Sequence, residues 1–375
     1  MFDCIIVGAG PAGATAAYHL AKAGRSVLVL EKASLPRYKS CGGGVSPAVA
    51  QLFDFDLTPV IDNTVDSVMF TWKMGDAVTT KLDSEPMWMV QRDKFDNFLV
   101  EQAKAKGAEF KDNTQVNSIA NQGDSWQVST TGDSFSARYL IAADGALGPM
   151  ANWLGFEPKK QFCAVSLEVE TTVAAAQQHQ AHFEFGTLKN GSIWNFPKAN
   201  GYSISAAVMG NTKGKVQDLK NALTKYAEKS NIDLSKSQFF EHPLCLWSEK
   251  QPLHKDNALL VGEAAGIVDP LLAEGIRPAI STGYQAAIAI DKALAGETDA
   301  LANYTQAVTQ EWVNEMALAQ RLAGPFYKFT KIIYKVAVKR PYASQIMSQI
   351  LCGQRRYSDV TDKVMKKFKF IPGVG

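Results

Sequence analysis

The feature that most constrains this chain is a glycine-rich turn placed between a short strand and a helix. Residues 3–7 form an apolar run typical of buried parallel strands, and residues 8–13 follow it with the sequence GAGPAG. An alanine-rich stretch over residues 14–23 predicts a helix, and residues 26–30 predict a second buried strand ending at Glu31. A strand, turn, helix and strand in this order form one unit of a doubly wound α/β fold.

Each glycine of this turn has its own physical task. Gly8 permits the tight turn, Gly10 lets backbone N–H groups approach a pyrophosphate, and Gly13 lets helix and strand pack closely. Glu31 is placed where a carboxylate can accept hydrogen bonds from a ribose and would repel a 2′-phosphate. The turn therefore predicts FAD or NAD rather than NADP. The residues expected around this end of the ligand are Gly8, Gly10, Pro11, Ala12, Gly13, Glu31 and Lys32.

Later turns favour FAD over NAD, because they suit the ribityl chain and ring of a flavin. Strand-like residues 139–143 and 258–262 each end at an acidic, glycine-containing turn, and a helical pattern covers residues 275–294. The positive end of that helix, at Gly275, would stabilise the anionic reduced flavin, so Gly275 is assigned a catalytic part. The flavin contacts predicted here are Asp144, Gly145, Glu263, Gly266, Gly275 and Ile276.

Composition and missing motifs exclude several other classes of protein. The 375 residues are 46% hydrophobic and carry a net charge of +2, which predicts two or three globular units and no chain-wide affinity for nucleic acid. None of the five cysteines forms a CxxC pair, which favours a reducing compartment and argues against structural zinc. With no 18-residue apolar run and no basic N-terminal leader, the expectation is a soluble cytoplasmic protein.

Hydrophobic patterning predicts an α/β protein with a Rossmann-like FAD-binding domain built from discontinuous segments. Alternating runs at residues 164–171 and 202–208 predict a mixed or antiparallel sheet domain for substrate, and a helical C-terminus follows. The FAD-binding domain is assigned residues 1–70, 91–160 and 251–324, the substrate domain residues 71–90 and 161–250, and the basic helical segment residues 325–375.

This set of motifs resembles the FAD-dependent oxidoreductases that include aromatic hydroxylases, halogenases and geranylgeranyl reductases. Ala142 and Glu263 stand where that class usually has glycine in GADG and aspartate in GDAAG, and both keep the turn character. The CGGG of residues 41–44 and the WNFP of residues 194–197 are similar to motifs of the geranylgeranyl reductases. Ser192 replaces a tyrosine of that branch.

The resemblance implies roles for further residues, each with a plainer alternative. Cys41, together with Gly42 and Gly43, would approach the flavin and take part in catalysis, although a free cysteine is often only a small buried side chain. Trp194 and Phe196 would line a tunnel for an isoprenoid chain or else belong to the core of the sheet. In the same way, Arg92 would begin a helix near the pyrophosphate or be a solvated surface residue.

These features together predict a reductase that saturates C=C bonds of a prenyl lipid, with hydride delivered by reduced flavin. The protein would supply geometry, dryness and electrostatic stabilisation rather than acid–base residues. No second dinucleotide turn is found, so electrons would come from an external donor, either NAD(P)H or a carrier protein. The alternatives are an FAD-dependent monooxygenase of an aromatic substrate and a flavin-bound membrane-associated binding protein. No metal is expected, since His179 and His182 lack a third ligand.

The C-terminal segment is strongly basic. Residues 325–375 hold eleven Lys and Arg against two Asp, a net charge of +9. Apolar residues recur at helical spacing over residues 324–338, which predicts an amphipathic helix with a lysine border, and a second basic helical stretch is predicted to reach Phe370. The segment either packs on the flavin domain with solvated lysines or holds the protein on an anionic cytoplasmic membrane face.

Overall fold

A computed structural model describes residues 1–83, 85–157, 162–208 and 216–360. The strands in these residues are β1 (Phe2–Val7), β2 (Val27–Leu30), β3 (Gly44–Val45), β4 (Asn63–Val65), β5 (Ser67–Trp72), β6 (Gly75–Lys81), β7 (Met87–Met89), β8 (Glu109–Lys111), β9 (Val116–Asn121), β10 (Trp126–Thr130), β11 (Ser134–Ala142), β12 (Ala164–Glu170), β13 (Gln180–Phe185), β14 (Gly191–Lys198), β15 (Gly201–Val208), β16 (Ser237–Glu241), β17 (His254–Lys255) and β18 (Ala258–Leu260). The α-helices are α1 (Pro11–Lys22), α2 (Arg92–Ala105), α3 (Met150–Trp153), α4 (Val216–Lys229), α5 (Ile276–Leu294), α6 (Ala300–Val308), α7 (Asn314–Lys328), α8 (Thr330–Ile333) and α9 (Pro341–Leu351).

The first sheet has the Rossmann-like arrangement predicted from the sequence. Its strands follow the order β17-β18-β11-β1-β2-β8, with β10 and β9 added beside β11. Strands β2, β1, β11 and β18 are parallel, and Val7 pairs with both Leu30 and Ala142. Because parallel strands end at one edge of the sheet, the turns after β1, β2, β11 and β18 meet there.

Close packing of α1 against α5 places the starts of both helices at this edge. A Cβ atom on Gly283 of α5 would lie 2.2 Å from the carbonyl oxygen of Ala12, and one on Gly262 would lie 3.1 Å from the Ala12 side chain. Small residues at these positions let the two helix backbones approach, so the two positive helix ends open into one space.

The second sheet is mixed, as the patterning predicted. Its order is β16-β12-β15-β14-β13-β5-β6; β5 and β13 pair in parallel and the other neighbours are antiparallel. Helix α4 covers one face through buried residues such as Leu219 and Leu223, and the other face looks toward the edge of the first sheet. The boundary assigned at residue 70 falls inside β5, because this strand pairs along its length with β13.

The C-terminal helices pack on the second sheet, and the C-terminal segment also contacts the flavin domain, where the hydroxyls of Tyr327 and Tyr357 donate to Leu271 and Asp269. The ring of Phe326 lies 5.2 Å from that of Phe185, and the Tyr334 hydroxyl donates to the carbonyl of Phe70 at 3.0 Å. The boundary assigned at residue 325 falls inside α7.

The single amphipathic helix predicted over residues 324–338 is wrong. Helix α7 ends before Phe329, whose backbone leaves the helical region, and this re-aims the apolar residues that follow. Ile333 is buried, whereas Ile332 and Val336 are 38% and 53% exposed. The second basic stretch includes α9, and its part from residue 361 to Phe370 lies outside the described residues.

Candidate functional site

A cavity of about 450 Å³ lies between the edge of the first sheet and the open face of the second. It gathers residues that are up to 344 positions apart in the sequence, from Val7 to Leu351. The residues singled out from the sequence that line it are Gly8, Gly10, Pro11, Ala12, Glu31, Lys32, Cys41, Gly42, Gly43, Arg92, Asp144, Gly145, Trp194, Phe196, Glu263, Gly275 and Ile276. Gly13 and Gly266 are not part of the lining: Gly13 is packed beneath it, and Gly266 ends the short 3₁₀ turn after β18.

The first glycine turn has the shape that a pyrophosphate requires. A Cβ atom on Gly8 would lie 2.4 Å from the Ala143 carbonyl oxygen, and one on Gly13 would lie 1.9 Å from the Gly8 carbonyl oxygen. At Gly10 the nearest atom to such a Cβ is 3.7 Å away. Among the described residues no side chain caps α1, and its first turn carries no acid, so its N–H groups can bind an anion.

Glu31 is held rigidly at the cavity wall by the backbone around it. Its Oε2 accepts from the N–H of Ala9 at 2.9 Å, and its Oε1 accepts from the N–H of Ala33 at 3.1 Å. The Nε of Arg37 lies 3.5 Å from Oε2. The carboxylate is thus fixed beside the glycine turn at the end of β2, where the sequence predicts the ribose.

Arg92 belongs to a buried ion-pair network rather than to the solvated surface. Its Nε and Nη2 each donate to Asp96 at 2.7 Å, and Arg37 Nη1 donates to the same carboxylate at 3.3 Å. Burial acts to lower the pKa of Arg92, but the Asp96 charge outweighs it and raises the pKa. Arg37 was not predicted as a site residue from the sequence, although it lies four residues before Cys41.

Glu263 carries the acidic turn after β18 and is also held by partners. Its Oε1 accepts from the N–H of Cys245 at 3.1 Å, and its Oε2 lies 3.5 Å from Lys39 Nζ and 3.9 Å from His242 Nε2. Burial acts to raise the pKa of Glu263, but Lys39 and His242 lower it to about 2, so the group is a carboxylate. Lys39 and His242 line the cavity and were not predicted as site residues: His242 fits no motif, whereas Lys39 lies two residues before Cys41.

The loop before α5 is shaped by a buried aspartate. Asp269 accepts from the N–H groups of Leu271 and Leu272 at 2.7 and 2.9 Å, and from the hydroxyl of Tyr357 at 2.7 Å. Burial raises the pKa of Asp269 to about 6 against these hydrogen bonds. Gly275 then begins α5 with no side-chain cap and no acid in the first turn, so this helix end also favours an anionic group.

The loop that carries Cys41 is pressed onto the second sheet. A Cβ atom on Gly42 would lie 2.6 Å from the ring of Phe196, and one on Gly43 would lie 2.1 Å from the Val90 carbonyl oxygen. The sulfur of Cys41 is a free thiol on the cavity wall and accepts from the N–H of Gly43 at 3.4 Å. The two glycines are therefore what brings Cys41 to the cavity.

The WNFP residues form part of an apolar wall. Trp194 and Phe196 line the cavity from β14, and the ring of Phe183 lies 5.7 Å from that of Phe196. A second, small apolar pocket of about 20 Å³ lies beyond Trp194, which lines both spaces, and is bordered by Phe326 and Met347 of the C-terminal helices. Ser192, which replaces the family's tyrosine, lines this small pocket.

Two negative findings concern the described residues. No cluster of three His, Cys, Asp or Glu side chains there has the arrangement needed to hold a metal ion. His182 instead sits in a buried hydrogen-bonded chain with Tyr226 and Thr71. No helix in the described ranges is both long and apolar enough to cross a membrane.

The sequence matches one protein-family model and several proteins of named function. The family model for the FAD binding domain matches residues 1–310. A digeranylgeranylglycerophospholipid reductase of Methanocaldococcus jannaschii is 26% identical over 309 residues, which cover 78% of each chain. A geranylgeranyl diphosphate reductase of Rhodobacter capsulatus is 29% identical over 301 residues, or 76% of this chain and 74% of the relative.

The fold is shared with a solved structure. A geranylgeranyl bacteriochlorophyll reductase-like protein of Thermoplasma acidophilum superposes with a TM-score of 0.81 at 20% identity. The match covers 100% of this chain and 97% of that protein. The arrangement of the two sheets around the cavity is therefore that of a known group of folds.

Proposed function

Because this chain belongs to the FAD binding domain family and is an FAD-dependent oxidoreductase, we propose that it saturates C=C bonds of a prenyl chain. Its relatives include geranylgeranyl reductases, which confirms the resemblance stated from the motifs. The observation that carries the proposal is the single cavity in which the glycine turn of β1 faces the aromatic wall of β14. This arrangement would put a site for FAD beside a site for an apolar chain.

FAD supplies hydride chemistry when it is reduced and bound. The N–H groups at the start of α1 would hold its pyrophosphate, and Glu31 would bind its ribose. The start of α5 at Gly275 would stabilise negative charge on the ring.

Trp194, Phe196 and Phe183 would position the alkene, which has no polar group that a hydrogen bond could orient. A narrow apolar wall can do so by shape, and it also excludes water from the reacting carbons. The small pocket beyond Trp194 would contact only the end of the chain, so its size would limit the lengths that fit. Cys41 stands beside this wall and would contact the ring or the alkene.

We propose further that electrons reach the site from outside the chain, through NAD(P)H or a carrier protein. The basic C-terminal surface formed by Lys328, Lys331, Lys335, Ile332 and Val336 would rest on an anionic membrane face. Its three lysines and its two apolar side chains are all exposed, which complements a negatively charged lipid surface. A prenyl lipid in that membrane would then be close to its enzyme.

The test is a single-turnover reaction. The purified flavoprotein is reduced anaerobically and mixed with geranylgeranyl diphosphate, and the product mass is measured. A gain of two hydrogens per bond is expected. No change in mass would contradict the reductase function, and a gain of oxygen with an aromatic substrate in air would identify a monooxygenase instead.

A further inference from the structure

The cavity-facing side of the second sheet is divided into an apolar half and a hydroxyl-bearing half. On β14, Trp194 and Phe196 provide the apolar half described above. Their cross-strand neighbours on β15 are Ser205 and Ser203, which in turn pair with Ser166 and Glu168 on β12. This face of the sheet carries Trp194, Phe196, Ser203, Ser205, Ser166 and Glu168. An alkene makes no use of hydroxyl groups, so the polar half needs another explanation.

The polar half contains a hydrogen-bonded chain of three hydroxyl groups, with Tyr38 and Glu168 beside it. Ser205 and Ser166 are hydrogen-bonded at 2.8 Å, and Ser40 donates to Ser166 at 2.8 Å. The Tyr38 hydroxyl interacts with the hydroxyl of Ser40 on one side and the carboxylate of Glu168 on the other. Except for Glu168, each member lines the cavity. A carboxyl group thus lies beside a hydroxyl chain that ends at Ser205, across from Trp194.

The surroundings of Glu168 favour its protonated form, as a proton donor requires. The Ser203 hydroxyl donates to its Oε1 at 2.8 Å. Burial raises the pKa of Glu168, and this outweighs the lowering by Ser203, by the ammonium of Lys198 on β14 and by Tyr38 from the loop after β2. The nearby Lys198 is already committed to two backbone carbonyls, so Glu168 is the acid available to this chain.

We propose that Glu168 is the proton donor of the reduction and that the hydroxyls of Tyr38, Ser40, Ser166 and Ser205 carry its proton to the alkene. This rests on the proposed function. In the reaction one π bond breaks and two C–H bonds form: one carbon takes hydride, with both electrons, from the reduced cofactor, and the other takes the proton. Glu168 is left as a carboxylate and regains its proton from solvent through Tyr38, a residue that is 45% exposed.

The experiment compares four holoproteins: wild type, Glu168→Gln, Tyr38→Phe and Glu184→Gln. Glu184→Gln is the matched control, because Glu184 is a buried carboxylate of the same sheet whose partners Thr71 and Thr187 lie away from the cavity lining. Single-turnover reduction of geranylgeranyl diphosphate should slow about 100-fold in Glu168→Gln, a typical loss for a general acid. Tyr38→Phe should also slow it, and the control should stay within twofold of wild type.

A second measurement does not depend on turnover. Infrared spectra of the oxidised holoprotein across pH should show the carbonyl band of a protonated buried carboxyl that is absent in Glu168→Gln and retained in Tyr38→Phe. The wild-type rate should fall as pH rises through the pKa of that band, and the rate of Glu168→Gln should not. Loss of the band with an unchanged rate in Glu168→Gln would overturn the proposal alone. A wild type that reduces no prenyl chain would overturn the proposed function together with it.

Discussion

The ammonium of Lys198 donates to the carbonyl oxygen of Gly42 at 2.6 Å and thereby ties the loop of Cys41 to the end of β14. The same ammonium donates to the Val90 carbonyl at 2.9 Å, so one buried lysine joins three segments. Burial lowers the pKa of Lys198. The aromatic wall and the Cys41 loop are therefore fixed to each other by a residue directly after the WNFP motif.

Replacing Lys198 with methionine should destabilise the protein. Two carbonyl oxygens would lose a charged donor, which costs about 1–3 kcal/mol of unfolding free energy. The Cys41 loop would loosen as well, and prenyl reduction would fall. Urea unfolding of Lys198→Met is compared with that of Lys225→Met, an exposed lysine on α4 whose loss should change stability by less than about 0.5 kcal/mol. Equal stability of both variants would show that the two hydrogen bonds of Lys198 do not stabilise the fold.

Alanine at Gly13 should lower the stability of the apoprotein, whereas alanine at Gly10 should weaken FAD binding. In Gly13→Ala the new methyl group meets the Gly8 carbonyl, which should cost about 3 kcal/mol of apoprotein stability. In Gly10→Ala there is room for the methyl group within the protein, so the apoprotein should stay stable while FAD binds on the order of tenfold more weakly. Thermal unfolding of the apoproteins and titration with FAD separate the two. Normal FAD affinity in Gly10→Ala would argue against a pyrophosphate at this turn.

Changes at Glu31 should weaken FAD binding in a graded way. Glu31→Gln keeps the shape and one good acceptor, so we expect a loss of about 1 kcal/mol in binding free energy. Glu31→Arg also adds a repulsive neighbour for Arg37 and should lose about 2–4 kcal/mol. Fluorescence titration of the apoproteins measures both. Unchanged flavin occupancy in Glu31→Arg would mean that this carboxylate does not touch the cofactor.

Asp269 should make stability depend on pH. Because its folded-state pKa of about 6 lies above the value of an unfolded chain, the folded protein holds a proton that the unfolded protein has already lost. This contribution, about 3 kcal/mol, is complete below about pH 4 and is lost as pH rises through 6. Denaturant unfolding at pH 4 and pH 7 should show that the difference in stability between wild type and Asp269→Asn changes by this amount. A difference that is the same at both pH values would contradict the assignment.

Membrane binding should require the exposed C-terminal surface. Co-sedimentation with anionic vesicles is expected at low salt and should weaken at high salt, because each lysine near the surface contributes on the order of 1 kcal/mol. Ile332→Ser with Val336→Ser should reduce binding at both salt concentrations. Equal partitioning to neutral and anionic vesicles, or none to either, would leave these helices a packing role alone.

Much of the cofactor side of the site was open to prediction from local sequence. The turn at Gly8 and Gly10, the acid at Glu31 and the helix start at Gly275 each depend on residues within a short stretch, where backbone geometry sets the chemistry. The structure brings these turns to one cavity because they all follow parallel strands of the same sheet.

Local sequence was enough to predict the strand, the glycine turn and the helix starts at which FAD is expected to bind, since turn geometry and helix ends are local properties. Tertiary structure alone decided which side chains face each other across the cavity. Several contacts join residues whose neighbours in sequence do not predict them: Arg37 with Asp96, Lys198 with Gly42, and the hydroxyl groups between Tyr38 and Ser205. In the C-terminal helices it also decided that Ile333 is buried and Ile332 is exposed. The helix breaks at Phe329, and the direction of each later side chain depends on what packs around it.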